Sequence, residues 1–360
     1  MPFSRLPGLK ALFSALLLAV FLALASVWPL GGPSLAAGED PDVVTVGYAP
    51  SSVLLAVLKD KGLLEAALAP EGLKVEWKIL QEGLPMIEAV ALGQADLAGD
   101  VPAVVPIFAQ SMGIEFAYYL QEKPSPGSQA IVVMEGSDIY GPHDLKGRKV
   151  ALAKASGAHY LAVTVFRAAD LSIGRNVELS FLKPAEAALA LESGEVDAWS
   201  AEGEVLCALE AKGGARRIGE EAGGESRFYL ANAAFLSDKP DAALIIQKEL
   251  EKIGAWANDN PEEAAAIVAK AAAEAEAEAD SEAAPEEAAD PEAEAKAEAL
   301  KLKCSRRIFS IATVGLEALR EQQKIADAFS EEKLLYHPVR IAEAQAWLRG
   351  PPTGPIAHDP

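Results

Sequence analysis

Small polar residues and glycines cluster where predicted strands end and predicted helices begin. Four such turns are Tyr48-Ala-Pro-Ser-Ser52, Gln81-Glu-Gly-Leu-Pro85, Gly99-Asp-Val-Pro102 and Ala155-Ser-Gly-Ala-His159. In an open α/β sheet these turns lie along one edge, and each helix start presents unpaired N–H groups and the positive end of a dipole. The pattern therefore predicts an anion-binding site built from several helix starts.

Each turn taken alone also has a simpler explanation. Ser156 and Asp100 are residue types that cap helices, and such a cap stabilises a helix by about 0.5–2 kcal/mol without any ligand. Only the convergence of several turns on one crevice favours a ligand site over capping.

The elements that must position these turns alternate regularly along the chain. Short runs rich in Val and Ile, such as Val43 to Tyr48 and Ala130 to Met134, alternate with helical stretches that end in Gly. This alternation predicts an α/β fold with mainly parallel sheets. Two turn-rich segments, Glu122 to Ser128 and Gly223 to Ser226, interrupt it and predict two crossings between lobes.

The first 37 residues have the pattern of an export signal. Arg5 and Lys10 precede an apolar run from Ala11 to Leu30, and the small residues up to Ala37 suit signal peptidase. We expect cleavage after Ala36 or Ala37, which leaves no stable membrane anchor and places the mature chain in the periplasm. An uncleaved anchor is the alternative, since the apolar run is long enough to span a bilayer.

Composition narrows the class of partner. The chain has 360 residues, with 53 acidic and 32 basic side chains and a formal net charge of −21. Nucleic acid is excluded as a partner because its phosphates are held by clusters of Lys and Arg, which this chain lacks. The two cysteines, Cys207 and Cys304, and the scattered histidines form no metal-binding motif, and we expect no cofactor.

The most acidic segment lies near the C-terminus. Residues 271–300 hold eleven acidic residues and one Lys, and they are otherwise mostly Ala. Ala and Glu favour helix, but the segment has almost no large apolar residue to bury. It is predicted to be a surface insertion, either helical or disordered.

Several motifs, in order along the chain, resemble the aliphatic sulfonate-binding proteins of ABC importers. They are Lys59-Asp-Lys-Gly-Leu-Leu-Glu65, Gly99-Asp-Val-Pro102, Asp144-Leu-Lys-Gly-Arg-Lys-Val150, Lys154-Ala-Ser-Gly-Ala-His-Tyr-Leu161, Val196-Asp-Ala-Trp199, Arg227-Phe-Tyr-Leu-Ala231 and Glu321-Gln-Gln-Lys-Ile-Ala-Asp-Ala-Phe329. The resemblance covers roughly residues 43–270 and 308–347. The chain is similar also to the taurine, nitrate and thiamine-precursor binding proteins.

This resemblance implies a type II-like periplasmic binding protein with two α/β lobes and two hinge crossings. Lobe 1 would comprise residues 43–123 and 229–347, lobe 2 residues 127–228, and a tail residues 348–360. The implied ligand is a small organic anion, and the implied partners are a permease and an ATPase subunit. The pocket would fall on Ser51, Ser52, Gly83, Asp100, Val101, Ser156, Gly157, Ala158 and His159, with Trp199 on its wall.

Glu202 marks a departure from the family pattern. The family commonly continues from the Asp-Ala-Trp strand into a Trp-Asp-Pro turn, whereas this chain has Glu202-Gly-Glu204. A carboxylate facing the cleft would repel a simple sulfonate and could pair with the amine of a zwitterionic ligand. The alternative is a solvated Glu at a helix start, where the dipole favours it.

No nucleophile elbow, P-loop or dinucleotide fingerprint is present. We therefore expect a binding protein rather than an enzyme. Two alternatives stay open: an enzyme on the same scaffold, similar to a thiamine-pyrimidine synthase, and a sensory receptor that no longer feeds transport.

Overall fold

The computed structural model describes residues 42–218, 224–279 and 307–346. The predicted export signal, most of the Ala/Glu-rich insertion, Cys304 and the C-terminal tail lie outside these residues. Within the described ranges, no helix combines the length and the apolar character needed to cross a membrane.

The described residues form twelve strands and eleven α-helices. The strands are β1 (Val43–Tyr48), β2 (Lys74–Ile79), β3 (Leu97–Pro102), β4 (Ala117–Glu122), β5 (Gln129–Met134), β6 (Lys149–Leu152), β7 (Glu178–Phe181), β8 (Ala198–Glu202), β9 (Ala215–Ile218), β10 (Arg227–Ala231), β11 (Ile311–Thr313) and β12 (Gln345–Ala346). The helices are α1 (Val53–Asp60), α2 (Leu63–Leu68), α3 (Leu84–Ala91), α4 (Val104–Ser111), α5 (Gly157–Ala168), α6 (Pro184–Ser193), α7 (Gly203–Ala211), α8 (Ala233–Asp238), α9 (Pro240–Asp259), α10 (Pro261–Ala279) and α11 (Leu316–Glu331).

The strands form two sheets. The first has the order β11-β4-β10-β3-β1-β2, with β12 also paired to β4, and the second has the order β7-β6-β8-β5-β9. The chain leaves the first sheet after β4 and returns to it at β10, so it crosses between the sheets at the two predicted segments. The α/β fold with two sheets agrees with the prediction.

Strand directions are mixed rather than mainly parallel. In the first sheet β1, β2 and β3 are parallel, but β10 lies antiparallel between β3 and β4. In the second sheet β6, β7 and β8 are parallel, while β5 is antiparallel to β8 and β9. β5 and β10 are the first strands that the chain forms after it passes from one sheet to the other, and each is antiparallel to both of its neighbours.

Helices cover both faces of each sheet, as the apolar patterns of the strands require. In the first sheet Tyr119 and Tyr229 pack with α1, α9 and α10 on one face, and Tyr118 and Phe228 pack with α3, α4 and α11 on the other. In the second sheet one core lies against α5 and the other against α6 and α7. The period of two along each strand divides these aromatic residues between the faces.

Helix α10 continues to Ala279, nine residues into the Ala/Glu-rich segment. This agrees with the strong helix propensity of Ala and Glu. Several short elements are absent from the sequence prediction, namely α2, α8, β9, β11 and β12. They are too short, or too polar in the case of β9, to show a clear periodicity.

Candidate functional site

The first turn of α5 is one of the helix starts at which the sequence predicts an anion-binding site. Ser156 precedes the helix, and its hydroxyl accepts a hydrogen bond from the His159 N–H at 3.2 Å while donating one to the Ala153 carbonyl at 2.8 Å. Ser156 therefore caps the helix, as its residue type predicts.

Left-handed backbone at two non-glycine residues marks the same region. Asp100 has φ 65° and Ala155 has φ 59°. Such a conformation costs an L-residue roughly 1–2 kcal/mol and is concentrated at functional sites. Ala155 comes shortly after β6 and Asp100 lies within β3, so both sheets contribute to the region.

A cavity of about 400 Å³ lies beside this turn. Its walls come from the start of α5, the start of α4, the beginnings of β5 and β10, and the end of β8. The lining residues are Pro102, Val104, Val105, Glu122, Ser125, Ser128, Gln129, Ala155, Ser156, Gly157, Glu202, Gly203, Glu225, Arg227 and Arg307.

Arg227 and Arg307, hereafter the arginine pair, supply the positive charge of the cavity. Arg227 pairs with Asp100. Arg307 lies 2.6 Å from Asp100 Oδ1 and 2.8 Å from Glu122 Oε2. Burial alone would raise the pKa of Asp100, but the arginine pair outweighs it and holds that pKa below its usual value.

Two further carboxyl groups, Glu202 and Glu225, form what we call the carboxyl pair. Gln129 Nε2 donates to Glu202 Oε2 at 2.7 Å. Burial raises the pKa of Glu202, against the hydrogen bonds from Gln129, the Ala158 N–H and Ser156 and the charge of Arg227. The chain's own carboxyl group thus lies over the start of α5, where the sequence predicts an external anion.

Glu225, unlike Glu202, has a buried carboxyl oxygen without a hydrogen-bond partner. Its Oε1 is buried and has no hydrogen-bond partner, and its Oε2 lies 3.9 Å from Arg227 Nη1. Burial and the neighbouring Glu202 raise the pKa of Glu225 to about 8. A carboxyl group with this pKa is mostly protonated near neutral pH.

Gly157 leaves the space that the carboxyl pair uses. A methyl group at this position would come within 2.6 Å of Glu202 Oε2 and 2.9 Å of Glu225 Oε1, and closer still to the amide of Gln129. The first residue of α5 therefore has to be small for these side chains to reach the helix start.

The structure brings only some of the predicted site residues together. Ser156, Gly157 and Glu202 line the cavity, and Asp100 lies behind it, bound to the arginine pair. Ala158 is buried in the first turn of α5, where its carbonyl accepts a hydrogen bond from Ser200 at 2.7 Å. Glu202 is partly buried rather than solvated at a helix start.

The other predicted residues of the first sheet do not line this cavity. Ser51 donates to the exposed carboxylate of Glu82, and Ser52 is buried at the start of α1 without a side-chain capping bond. Gly83 precedes α3 with φ 86°, and Val101 is buried in the core. Packing accounts for the buried Ser52 and Val101, but neither Ser52 nor Gly83 caps its helix with a side chain.

Trp199 belongs to the core and does not line the cavity, which corrects the predicted wall position. It packs with Leu191 and Leu206 beneath α6 and α7. The physical reason is the alternation within β8, where Ser200 faces α5 and bonds to Ala158.

The imidazole of His159 points away from the 400 Å³ cavity. Its Nδ1 accepts a hydrogen bond from the Ala155 N–H at 3.1 Å, and its ring packs 5.7 Å from that of Phe181 and 5.6 Å from that of Phe329. Burial and the charge of Lys154 lower the pKa of His159 to about 4. The ring lines a second cavity, of about 660 Å³, which extends along β7.

Sequence reasoning missed Gln129, Glu225 and the arginine pair. Glu225 lies within the predicted return crossing and Arg227 follows it directly, so their place at a crossing was a usable signal. Arg307 follows a segment outside the described residues, and no local pattern links it to Asp100, from which it is separated by 207 positions. Within the described residues, no three His, Cys, Asp or Glu side chains are grouped so as to hold a metal ion.

The described residues thus form two helix-flanked sheets joined by two crossings, with a polar cavity at the strand ends. Residues 59–264 match the family model described as NMT1/THI5 like. The chain belongs to this family.

Two relatives make the resemblance more specific. A protein of Escherichia coli (strain K12), named for binding aliphatic sulfonates, is 32% identical over 253 residues, which is 69% of this chain and 77% of that protein. The crystal structure of the periplasmic aliphatic sulphonate binding protein SsuA from Escherichia coli has a TM-score of 0.69 and 28% identity. The match covers 84% of this chain and 96% of that structure.

The same fold also occurs in an enzyme. The desulfurization enzyme DSZB matches with a TM-score of 0.55 and 14% identity, over 83% of this chain and 95% of that one. This likeness concerns the fold alone, and the more similar relatives are binding proteins.

Proposed function

We propose that this chain is the solute-binding component of an ABC importer and that it captures a small organic anion, an aliphatic sulfonate or a taurine-like compound. The supporting observation is the 400 Å³ cavity, which is lined by the start of α5, the arginine pair and several carboxyl groups. The volume suits a short-chain sulfonate. The sulfonate-binding names of the relatives support the same ligand class.

Capture would proceed by closure of two lobes, residues 43–123 with 229–347 and residues 127–228. Hinges at the two crossings would absorb the change in backbone angles. The ligand stabilises the closed form because only that form contacts it from both sides. The closed form would then dock on a permease, and a separate ATPase subunit would drive delivery to the cytoplasm.

Calorimetric titration of the purified chain tests the ligand class. We expect ethanesulfonate, taurine or a longer alkanesulfonate to bind with a dissociation constant of about 1 µM or less, which corresponds to roughly 8 kcal/mol. Nitrate serves as an anion of different shape. Absence of binding to every sulfonate at millimolar concentration would contradict the proposal.

Export to the periplasm is the second part of the proposal. Residues 1–37 carry the export-signal pattern, and the SsuA neighbour is periplasmic. The intact mass of chain isolated from a periplasmic extract would show cleavage after Ala36 or Ala37. Full-length chain recovered only with membranes would contradict the cleaved form and support an anchor.

The two alternatives predict different outcomes for bound ligand. An enzyme on this scaffold would convert a sulfonate during incubation, which mass spectrometry of the recovered ligand detects. A receptor without a transport role would bind ligand with unchanged affinity, while deletion of its gene would leave sulfonate uptake intact. The proposed function requires recovery of unaltered ligand and loss of uptake.

A further inference from the structure

The carboxyl pair gives the cavity more negative than positive groups. Asp100 and Glu122 bind the two guanidinium groups of the arginine pair, and Glu202 and Glu225 line the same cavity. A ligand that carries only a sulfonate would add another negative charge to this cluster. Such a ligand is repelled by the carboxyl pair in a buried site of low effective dielectric.

The arginine pair is engaged mainly by other carboxylates. Arg227 and Arg307 both contact Asp100, and Arg307 also contacts Glu122 at 2.8 Å. Arg227 Nη1 lies 3.9 Å from Glu225 Oε2. Glu225 Oε1 is buried and accepts no hydrogen bond. A buried acceptor of this kind is costly unless a donor binds to it.

We infer that the ligand carries an ammonium group as well as its sulfonate, and that the ammonium group binds between Glu202 and Glu225 and displaces a proton from them. The ligand class is thus an aminoalkanesulfonate. This inference rests on the proposed capture of a sulfonate in the same cavity. Gly157 allows both carboxyl groups to lie against the start of α5, because a side chain there would meet them.

The proton balance follows from the groups that face Glu225. Burial, Glu202 and Asp100 raise its pKa, the arginine pair lowers it, and the result is about 8. Near pH 7 the carboxyl pair therefore holds a proton, as close carboxyl pairs do. An arriving ammonium group supplies the positive charge instead, and the proton passes to solvent.

Calorimetry with two matched ligands tests this inference on the unmodified chain. Taurine and ethanesulfonate have the same carbon chain and sulfonate and differ in the amine. We expect taurine to bind at least roughly tenfold more tightly and to release between about half a proton and one proton at about pH 7. Titration in two buffers of different ionisation enthalpy measures the proton count.

The pH dependence has opposite signs for the two ligands. Taurine binding requires loss of a proton from the carboxyl pair, so its affinity rises from about pH 6.5 to about pH 8. Ethanesulfonate binds best when the pair is protonated, so its affinity falls over the same range. Parallel pH profiles for the two ligands would overturn the inference.

Variants assign the effect to individual residues. In Glu225→Gln the proton release should disappear and the preference for taurine should fall to roughly twofold or less. Glu202→Gln should reduce the preference in the same direction. Glu178→Gln removes an exposed carboxylate from β7 and serves as the matched control, with preference and proton release unchanged. Thermal unfolding confirms that each variant is folded.

The inference and the proposed function fail in different ways. Ethanesulfonate binding as tightly as taurine, without proton release, would overturn the inference and leave sulfonate capture intact. Absence of binding by either compound, or by longer alkanesulfonates, would overturn the proposed function itself. A taurine preference that persists in Glu225→Gln and Glu202→Gln would also overturn the assignment to the carboxyl pair.

Discussion

The two cavities on either side of the first turn of α5 differ in what lines them. The larger, about 660 Å³, extends along the edge strand β7 and is bordered by exposed side chains such as Arg175, Glu178 and Phe181. The smaller, about 400 Å³, is bordered by residues from both sheets, among them the buried ion pair of Arg307 with Glu122. Buried charges are costly and are retained where they have partners or a function. The charges, rather than the volume, therefore identify the binding site.

The largest effect should come from breaking the ion cluster of the smaller cavity. Arg307→Gln leaves Asp100 and Glu122 buried with less positive charge, so the free energy of unfolding should fall by about 3–5 kcal/mol. Urea denaturation measures this loss. The matched control is Arg167→Gln, which removes an ion pair with Glu331 whose side chains are 47% and 65% exposed. Its effect should be below about 1 kcal/mol. Equal effects of the two substitutions would contradict the comparison.

The fold and the cap at Ser156 were accessible from sequence because both depend on local patterns, whereas Asp100, the other predicted cap, lies within β3. Ser156 was placed correctly at the start of α5 because capping involves residues three positions apart. The wall position predicted for Trp199 differs from its position in the core, because the direction of this side chain depends on packing partners from α6 and α7.

The ion cluster was not accessible because its members meet only through topology. Arg227 reaches Asp100 because β10 lies between β3 and β4, an arrangement that periodicity cannot reveal. Glu202 was recognised as a departure from the family pattern, but its partner Glu225 was not. Their proximity depends on both crossings and on the absence of a side chain at Gly157.

The imidazole beside the larger cavity should make stability depend on pH. The native pKa of His159 is about 4, below the value of about 6.5 in an unfolded chain. Between these values the unfolded state binds more protons, so acidification through this range should destabilise the native state. The loss should be on the order of 2 kcal/mol.

Denaturant titrations at several pH values, compared between wild type and His159→Gln, measure this contribution. The variant should lose less stability on acidification, because no imidazole is then withheld from protonation. An identical pH dependence in both proteins would contradict a neutral buried imidazole. The result would also weaken the contrast between an apolar ring cluster on one side of α5 and charged groups on the other.

Filling the smaller cavity should reduce ligand binding more than stability. In Gly157→Ala the new methyl group meets the carboxyl pair and Gln129, so affinity for the preferred sulfonate should fall by at least roughly tenfold, or about 1.4 kcal/mol. The free energy of unfolding should change by less than about 1 kcal/mol, because the contacted atoms are side-chain ends and alanine favours helix. Gly136→Ala, at an open position, is the control. Unchanged affinity in Gly157→Ala would place the ligand elsewhere.

The smallest effect should come from the larger cavity. Phe181→Ser removes a ring that is 49% exposed, and ligand affinity should change by less than about twofold. The same calorimetric titration measures it. A loss of ligand affinity as large as that in Gly157→Ala would show that the larger cavity, and not the smaller one, binds the ligand.

A crystal structure of the chain with its preferred sulfonate would test the central claim most directly. The account predicts ligand density in the 400 Å³ cavity, with the sulfonate near the arginine pair and the start of α5. Density beside Phe181 in the larger cavity, with the smaller one still filled by the chain's own carboxyl groups, would contradict it.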